Sequence, residues 1–294
     1  LMAGIAQKSP IVLGIDPNFD KMPHTLLPQT ADRQDVQNAL FKFSQLVMDA
    51  CIDVVPAVKF QSAYYEQFGS AGILALADRI AYAKSKGLLV IMDAKRGDIG
   101  STATAYANGY LSPSTQACQD LIFESDLHSD ALTINPFLGD DSMAPFVDAC
   151  DTYGTGLFVL VKTSNPGSKM IQDLDCDGVS ISQRLAQWVS QTGHSQIGKS
   201  GFSNIGAVIG ATHPELGNIL RKLMPHTLFL VPGVGAQGGD IQTVMDSMGV
   251  NGEGVIFPIS RGITYPEDRS LSEEGYVEQV RQLAQQFMGS YTDS

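Results

Sequence analysis

Eight short apolar runs, most of them followed by a longer stretch of helical character, constrain this chain more than any other feature. The runs are Ile11–Ile15, Val54–Phe60, Leu88–Asp93, Ala131–Asn135, Leu157–Lys162, Ile205–Gly210, Thr227–Val231 and Gly254–Ile259. They are rich in Val, Ile, Leu and Phe, as strands buried on both faces are. Helical stretches are expected at Asp35–Asp53, Gly72–Lys86, Ser180–Thr192, Pro214–Leu223, Asp240–Met248 and Leu271–Met288. In the last of these, Tyr276, Val280, Leu283 and Phe287 fall on one helix face. Strand-then-helix units in this number favour a closed (β/α)8 TIM barrel, read as a single domain over residues 1–294. An open, doubly wound sheet is the alternative. The chain of 294 residues is longer than a barrel of roughly 250 needs. The surplus is expected in Ser112–Asp130 and Asn165–Asp177, both rich in Ser, Pro, Gly and Asp.

Charge narrows the partners. Lys and Arg number 19 against 31 Asp and Glu, a net charge of −12. A body this acidic is a poor binder of nucleic acid or of anionic membranes, so neither is expected as a partner. No apolar run approaches the roughly 20 residues that span a bilayer. The N-terminal segment lacks the pattern of a signal peptide, and a cytoplasmic location is expected. Cys51, Cys118, Cys150 and Cys176 form no C-x-x-C pair and read as reduced, mostly buried thiols. The five histidines show no H-x-H or H-E-x-x-H spacing, so no metal site is expected. A G-x-S-x-G elbow and a Walker A loop are both missing from the sequence.

In a barrel of this kind, chemistry sits where the strands end. Asp16 follows the first run, Lys59 lies in the second, and Asp93 and Lys95 end the third, with Asp98 in the loop beyond. Residues two apart on a strand share a face, so Asp93 and Lys95 are expected on the inner face with Leu89 and Ile91. Alternating opposite charges in a partly dry site keep one another ionised. A purely structural ion-pair network capping the barrel is the competing explanation. The last two loops suit an anion. The glycine-rich run Pro232–Gly239 leaves backbone N–H groups free, and Arg261 offers a guanidinium fork. Ordinary turns with a surface arginine would look similar. Gly233, Gly235 and Gly238 also match G-x-G-x-x-G, which keeps an NADP-dependent oxidoreductase as an alternative, although the match follows the seventh run rather than the first.

The segment Asp93-Ala94-Lys95-Arg96-Gly97-Asp98-Ile99 resembles the D-x-K-x-x-D-I signature of the orotidine 5′-phosphate decarboxylases. Asp16, Lys59, Thr163-Ser164-Asn165-Pro166, the segment Pro232 to Gln237, and Ser260-Arg261-Gly262 resemble that family's other motifs, in the same order. With the Asn135-Pro136 turn they look like its longer bacterial branch. The resemblance implies decarboxylation of orotidylate to uridylate and CO2 in pyrimidine biosynthesis, with no metal or organic cofactor, in a homodimer with shared active sites. It implies that the Lys95 ammonium stabilises and then protonates the C6 carbanion, with Asp93 against the departing carboxylate. It further implies that Asp98, Ile99 and Thr102 come from the partner subunit, that Asp16 and Lys59 hold ribose hydroxyls, and that Ser164 and Asn165 read the pyrimidine amide. Gly235, Gln237, Arg261 and Gly262 would grip the phosphate. A metal-dependent 3-hexulose-6-phosphate synthase-like aldolase shares the barrel and the D-x-K-x-x-D segment. A catalytically silent phosphate-binding protein is the third possibility.

Overall fold

The computed structural model describes residues 1–118, 121–212, 214–234, 240–250 and 252–292. Eight parallel strands close into a barrel, each neighbouring the next in chain order and the last returning to the first. They are β1 (Ile11–Ile15), β2 (Ala57–Gln61), β3 (Leu89–Arg96), β4 (Ala131–Ile134), β5 (Gly156–Lys162), β6 (Ser203–Ile209), β7 (Thr227–Leu230) and β8 (Val255–Ile259). The principal helices that follow them, one to each strand, are α1 (Arg33–Cys51), α2 (Gly69–Ser85), α3 (Gly100–Leu111), α4 (Asp140–Tyr153), α5 (Ile181–Gly193), α6 (Pro214–Leu223), α7 (Ile241–Met248) and α8 (Glu273–Thr292). The closed barrel expected from the sequence is therefore the fold.

Local sequence explains where the helices begin. Asp32 caps α1 by accepting from the Asp35 N–H at 2.9 Å, and Asp240 caps α7 by accepting from Thr243 at 2.8 Å. Ser180 and Gln183 form a reciprocal capping box at the start of α5. Each such cap is worth about 1 kcal/mol. Two helices were not bounded from sequence, although Met143 reads as lying in a helical segment. α3 carries Gly and Thr, poor helix formers, and α4 contains Pro145. They pack against each other, and that tertiary contact overrides weak local propensity.

The first surplus segment holds a small hairpin, and the second begins one that closes just beyond it. Ser114–Cys118 pairs antiparallel with Leu121–Glu124, and Asp175–Cys176 with Val179–Ser180. The cysteine expectation is half right. Burial excludes Cys51 and Cys150 from solvent and pushes their thiols up to about 12. Cys118, by contrast, is exposed and Cys176 is partly so, because the hairpins carry them outward.

The chain groups into two compact units. One comprises Leu1–Ala94, Asp126–Ser129 and Pro258–Ser294. There α1 packs against α2 and α8, and the Phe43 ring stacks on Tyr265 and Tyr276 with centroids 5.6 and 6.3 Å away. The buried face of α8 runs through Tyr276, Val280 and Ala284; Leu283 lies partly exposed beside it, so the stripe follows i, i+4, i+8. The other unit comprises Lys95–Ser125 and Asp130–Phe257. Its internal staple is Arg221, a buried guanidinium lying 3.6 Å from the Phe229 ring centroid. It donates to the carbonyls of Met248, Met224, Thr227 and Gly254 at 2.6–2.9 Å. Burial pushes its pKa down to about 9, which still leaves it charged at neutral pH. The four carbonyls supply the compensation that a buried cation requires.

Candidate active site

In the first unit, strand register builds a charged cluster. Gly14 on β1 pairs with Lys59 on β2, Lys59 with Ile91 on β3, and Gln61 with Asp93. Paired residues and those two further along share a face, which brings Asp16, Lys59, Gln61 and Asp93 together at the strand ends. Lys59 Nζ lies 2.9 Å from Asp93 Oδ2 and 3.9 Å from Asp16 Oδ1. Gln61 Nε2 donates to the same Asp93 oxygen at 3.1 Å. Gly14 leaves room here: a Cβ on it would stand 2.8 Å from the Ser260 Cβ. Tyr265 braces the loop after β1 by donating to the Asp16 carbonyl and accepting from the Asn18 N–H.

Lys59 and Asp93 are each only 7% exposed. Burial alone would lower the Lys59 pKa. The carboxylates of Asp93 and Asp16, and the hydrogen bond to Asp93, outweigh it, and the pKa rises above the ordinary lysine value. Because the folded value exceeds the unfolded one, this stabilisation is fully present below about pH 10.4. It is lost only as pH climbs through the folded pKa, so the cluster keeps its cation throughout the neutral range. Asp16 Oδ1 is buried with no hydrogen-bond partner among the described residues. An acceptor held in that state is suited to a ligand's hydroxyl.

In the second unit, the end of β3 turns sharply. Lys95 has φ +47°, the left-handed region, at a cost of about 1–3 kcal/mol for a residue with a side chain. Its surroundings hold it there. Its N–H donates to Thr133 Oγ1 at 2.9 Å, and the next carbonyl, of Arg96, accepts from Asn135 at 2.8 Å. The Arg96 guanidinium donates to the Tyr110 hydroxyl at 2.9 Å. Gly97 is pressed so close to Asn135 that a Cβ would stand 2.9 Å from its carbonyl oxygen. Strand alternation therefore holds through Asp93 and stops. Lys95 leaves the extended backbone, and its side chain is largely accessible in the single chain, lining a cavity of about 750 Å³ with Asn135, Leu160, Thr163, Asn165 and Gln172. That volume falls within the range of small-molecule sites.

The remaining expected residues fall as follows. Asp98, Ile99 and Thr102 share one turn at the start of α3; Ile99 is 58% exposed and Thr102 is also exposed. Asp98 Oδ1 accepts from its neighbour's N–H, and Asp98 forms no ion pair among the described residues. Ser164 is half-buried after β5, so near Gly210 that a Cβ there would lie 2.7 Å from the Ser164 Cα. Arg261 and Gly262 are exposed at the start of the short helix Arg261–Thr264. Gly235 and Gln237 lie outside the described residues. Three participants were missed from sequence. Gln61 was visible as the residue two beyond Lys59. Thr133 was visible as the lone hydroxyl in an apolar strand. Gln172, at the end of the short helix Lys169–Gln172, gave no signal.

The sequence profile of the Orotidine 5′-phosphate decarboxylase / HUMPS family matches residues 31–273. An orotidine 5′-phosphate decarboxylase of Rhodopirellula baltica is 44% identical over 259 residues, 87% of this chain and 84% of that protein. One from Caldicellulosiruptor bescii is 38% identical over 271 residues, 90% and 88% of the two chains. Among solved structures, a putative orotidine 5′-phosphate decarboxylase from Streptomyces avermitilis superposes with a TM-score of 0.78 at 32% identity, covering 99% of this chain and 94% of that one. The profile takes in most of the chain, including every segment from Lys59 to Gly262 that was singled out from sequence, and the chain belongs to the orotidine 5′-phosphate decarboxylase / HUMPS family.

Proposed function

We propose that the chain converts orotidine 5′-phosphate to uridine 5′-phosphate and CO2, with Lys95 as the group that makes the carbon–carbon bond break. Family membership supports the reaction. The observation that carries the mechanism is Lys95 itself, fixed in a left-handed turn on the wall of a nucleotide-sized cavity. Loss of CO2 leaves an electron pair in an sp² orbital at C6, in the ring plane, where no carbonyl can delocalise it. A preorganised ammonium opposite that carbon stabilises the developing charge. It then gives its proton to C6 and regains one from solvent.

The other residues are assigned by the order of motifs along the chain. Asp93, locked by Lys59 and Gln61, stands against the departing carboxylate. Asp16 Oδ1, which has no hydrogen-bond partner among the described residues, accepts from a ribose hydroxyl, and Lys59 donates to the sugar. Ser164 and Asn165 face the pyrimidine amide. Gly235, Gln237, Arg261 and Gly262 hold the phosphate, whose remote binding free energy helps the reactive arrangement form. The active form is a homodimer in which Asp98, Ile99 and Thr102 complete the partner's site. An exposed isoleucine and a carboxylate with no cation partner among the described residues support that reading. Four free cysteines fit a reducing, cytoplasmic compartment.

The test is spectrophotometric. Purified protein consumes orotidylate, measured as loss of its absorbance, at the same rate with and without EDTA. No turnover at saturating substrate would overturn the reading. Activity only on a sugar phosphate, abolished by chelator, would point instead to the metal-dependent aldolase.

A further inference from the structure

At the end of β5, two consecutive residues are gripped by two consecutive residues of the following loop. Lys162, 1% exposed, pairs through its ammonium with Asp173. Next to it, Thr163 donates its backbone N–H to Gln172 Oε1 at 2.9 Å, and Gln172 Nε2 donates back to Thr163 Oγ1 at 3.0 Å. The Thr163 hydroxyl donates in turn to Asn165 Oδ1 at 2.7 Å. Thr163, Asn165 and Gln172 line the same cavity as Lys95.

The shorter contacts set the orientations: the Thr163 hydroxyl lies 2.7 Å from Asn165 Oδ1 and 3.4 Å from Gln172 Oε1. A backbone N–H can only donate, so it selects the oxygen end of the Gln172 amide. The amide nitrogen is then turned to the Thr163 hydroxyl, which accepts it and has one proton left to give. That proton goes to the nearer acceptor, so Asn165 presents its oxygen to the hydroxyl. The Asn165 Nδ2 has no hydrogen-bond partner among the described residues, so its protons remain available at the cavity. Asp173 holds the loop in register, since releasing it would strand the buried Lys162 charge.

We infer that Gln172 and Thr163 are positioning residues that lock the Asn165 amide as a donor, so that the site accepts a pyrimidine with oxygen at C4 and rejects one with an amino group there. This deepens the decarboxylase reading and rests on it. A cytosine ring would bring an N–H2 donor against the Asn165 N–H2, leaving both unpaired. A site built around such a hydrogen bond discriminates strongly against the wrong partner.

The experiment is calorimetric titration of uridine and cytidine 5′-monophosphates into wild-type protein and into Gln172→Glu, Thr163→Val and Thr163→Ser. Wild type should prefer the uridine nucleotide by at least about 10-fold. A glutamate at 172 still accepts the Thr163 N–H but cannot donate, so the hydroxyl turns to it and Asn165 is free to flip. Gln172→Glu and Thr163→Val should each bring the affinity ratio close to one. Thr163→Ser, which keeps the hydroxyl, should restore it. Parallel kinetics on Gln172→Glu should show KM for orotidylate rising more than kcat falls. Equal wild-type affinity for the two nucleotides would overturn the proposal, as would an unchanged ratio in both disruptive variants. If Gln172→Glu does not fold, the Val and Ser pair at Thr163 decides alone. Binding is read without turnover, so failure of the relay stays distinct from failure of the decarboxylase assignment, which would show as absent turnover in wild type.

Discussion

Lys95→Ala should lower kcat for orotidylate by at least about 10³-fold, the scale on which a single preorganised electrostatic group acts. The reason is specific to the chemistry. No other group assigned to C6 offers both a positive charge and a transferable proton, so removing the ammonium removes carbanion stabilisation and the acid together. Folding should survive. The Lys95 side chain is accessible, and its turn is held by backbone contacts, from its own N–H to Thr133 and from Asn135 to the Arg96 carbonyl. An alanine keeps both. Thermal unfolding should therefore move by only a few degrees while turnover disappears. Stopped-flow and steady-state absorbance measurements on a variant with a native circular dichroism spectrum check this. A kcat within 10-fold of wild type would contradict it.

Mixing two dead variants should restore activity. Lys95→Ala and Asp98→Asn homodimers are each inactive if every site takes its lysine from one subunit and its Asp98 from the other. Random subunit exchange between equal amounts makes half of the dimers mixed, and each mixed dimer holds one intact site of two. About a quarter of the wild-type site concentration should return. The structural ground is that Asp98 sits three residues beyond Lys95, past the turn, and makes no ion pair among the described residues. It opens a turn that also exposes Ile99 and Thr102. Native mass spectrometry of differently tagged subunits verifies exchange. Inactive mixtures with exchange verified would place Asp98 outside the partner's site.

What could be read from sequence follows from which physical signals are local. The barrel strands were legible because burial on both faces removes polar residues: Ile11, Val12, Leu13 and Ile15 are all 0% exposed. Lys59 and Asp93 stood out because charge is rare in such runs, and period-2 geometry placed Asp93 on the inner face. Lys95 was legible as a residue but not as a direction, since a left-handed turn breaks the alternation on which the argument rested. α3 and α4 were not bounded from sequence, although Met143 read as helical, because their stability lies in mutual packing, which no window of sequence contains. Gln172 was invisible for a related reason. Its meaning comes from a hydrogen bond to Thr163, nine residues earlier, across a loop whose path periodicity does not describe. Arg221 is likewise intelligible only once four carbonyls from separate segments surround it.

The central claim is that Lys95 stabilises a carbanion at C6 and carries its proton, and the reverse half of the reaction tests it most directly. By microscopic reversibility, an enzyme that protonates C6 also deprotonates it. Wild-type protein incubated with uridine 5′-monophosphate in D2O should exchange the C6 hydrogen for deuterium, followed by proton NMR, and Lys95→Ala should leave that signal at the uncatalysed rate while still binding the nucleotide. Exchange that proceeds undiminished without the Lys95 amine would contradict the account.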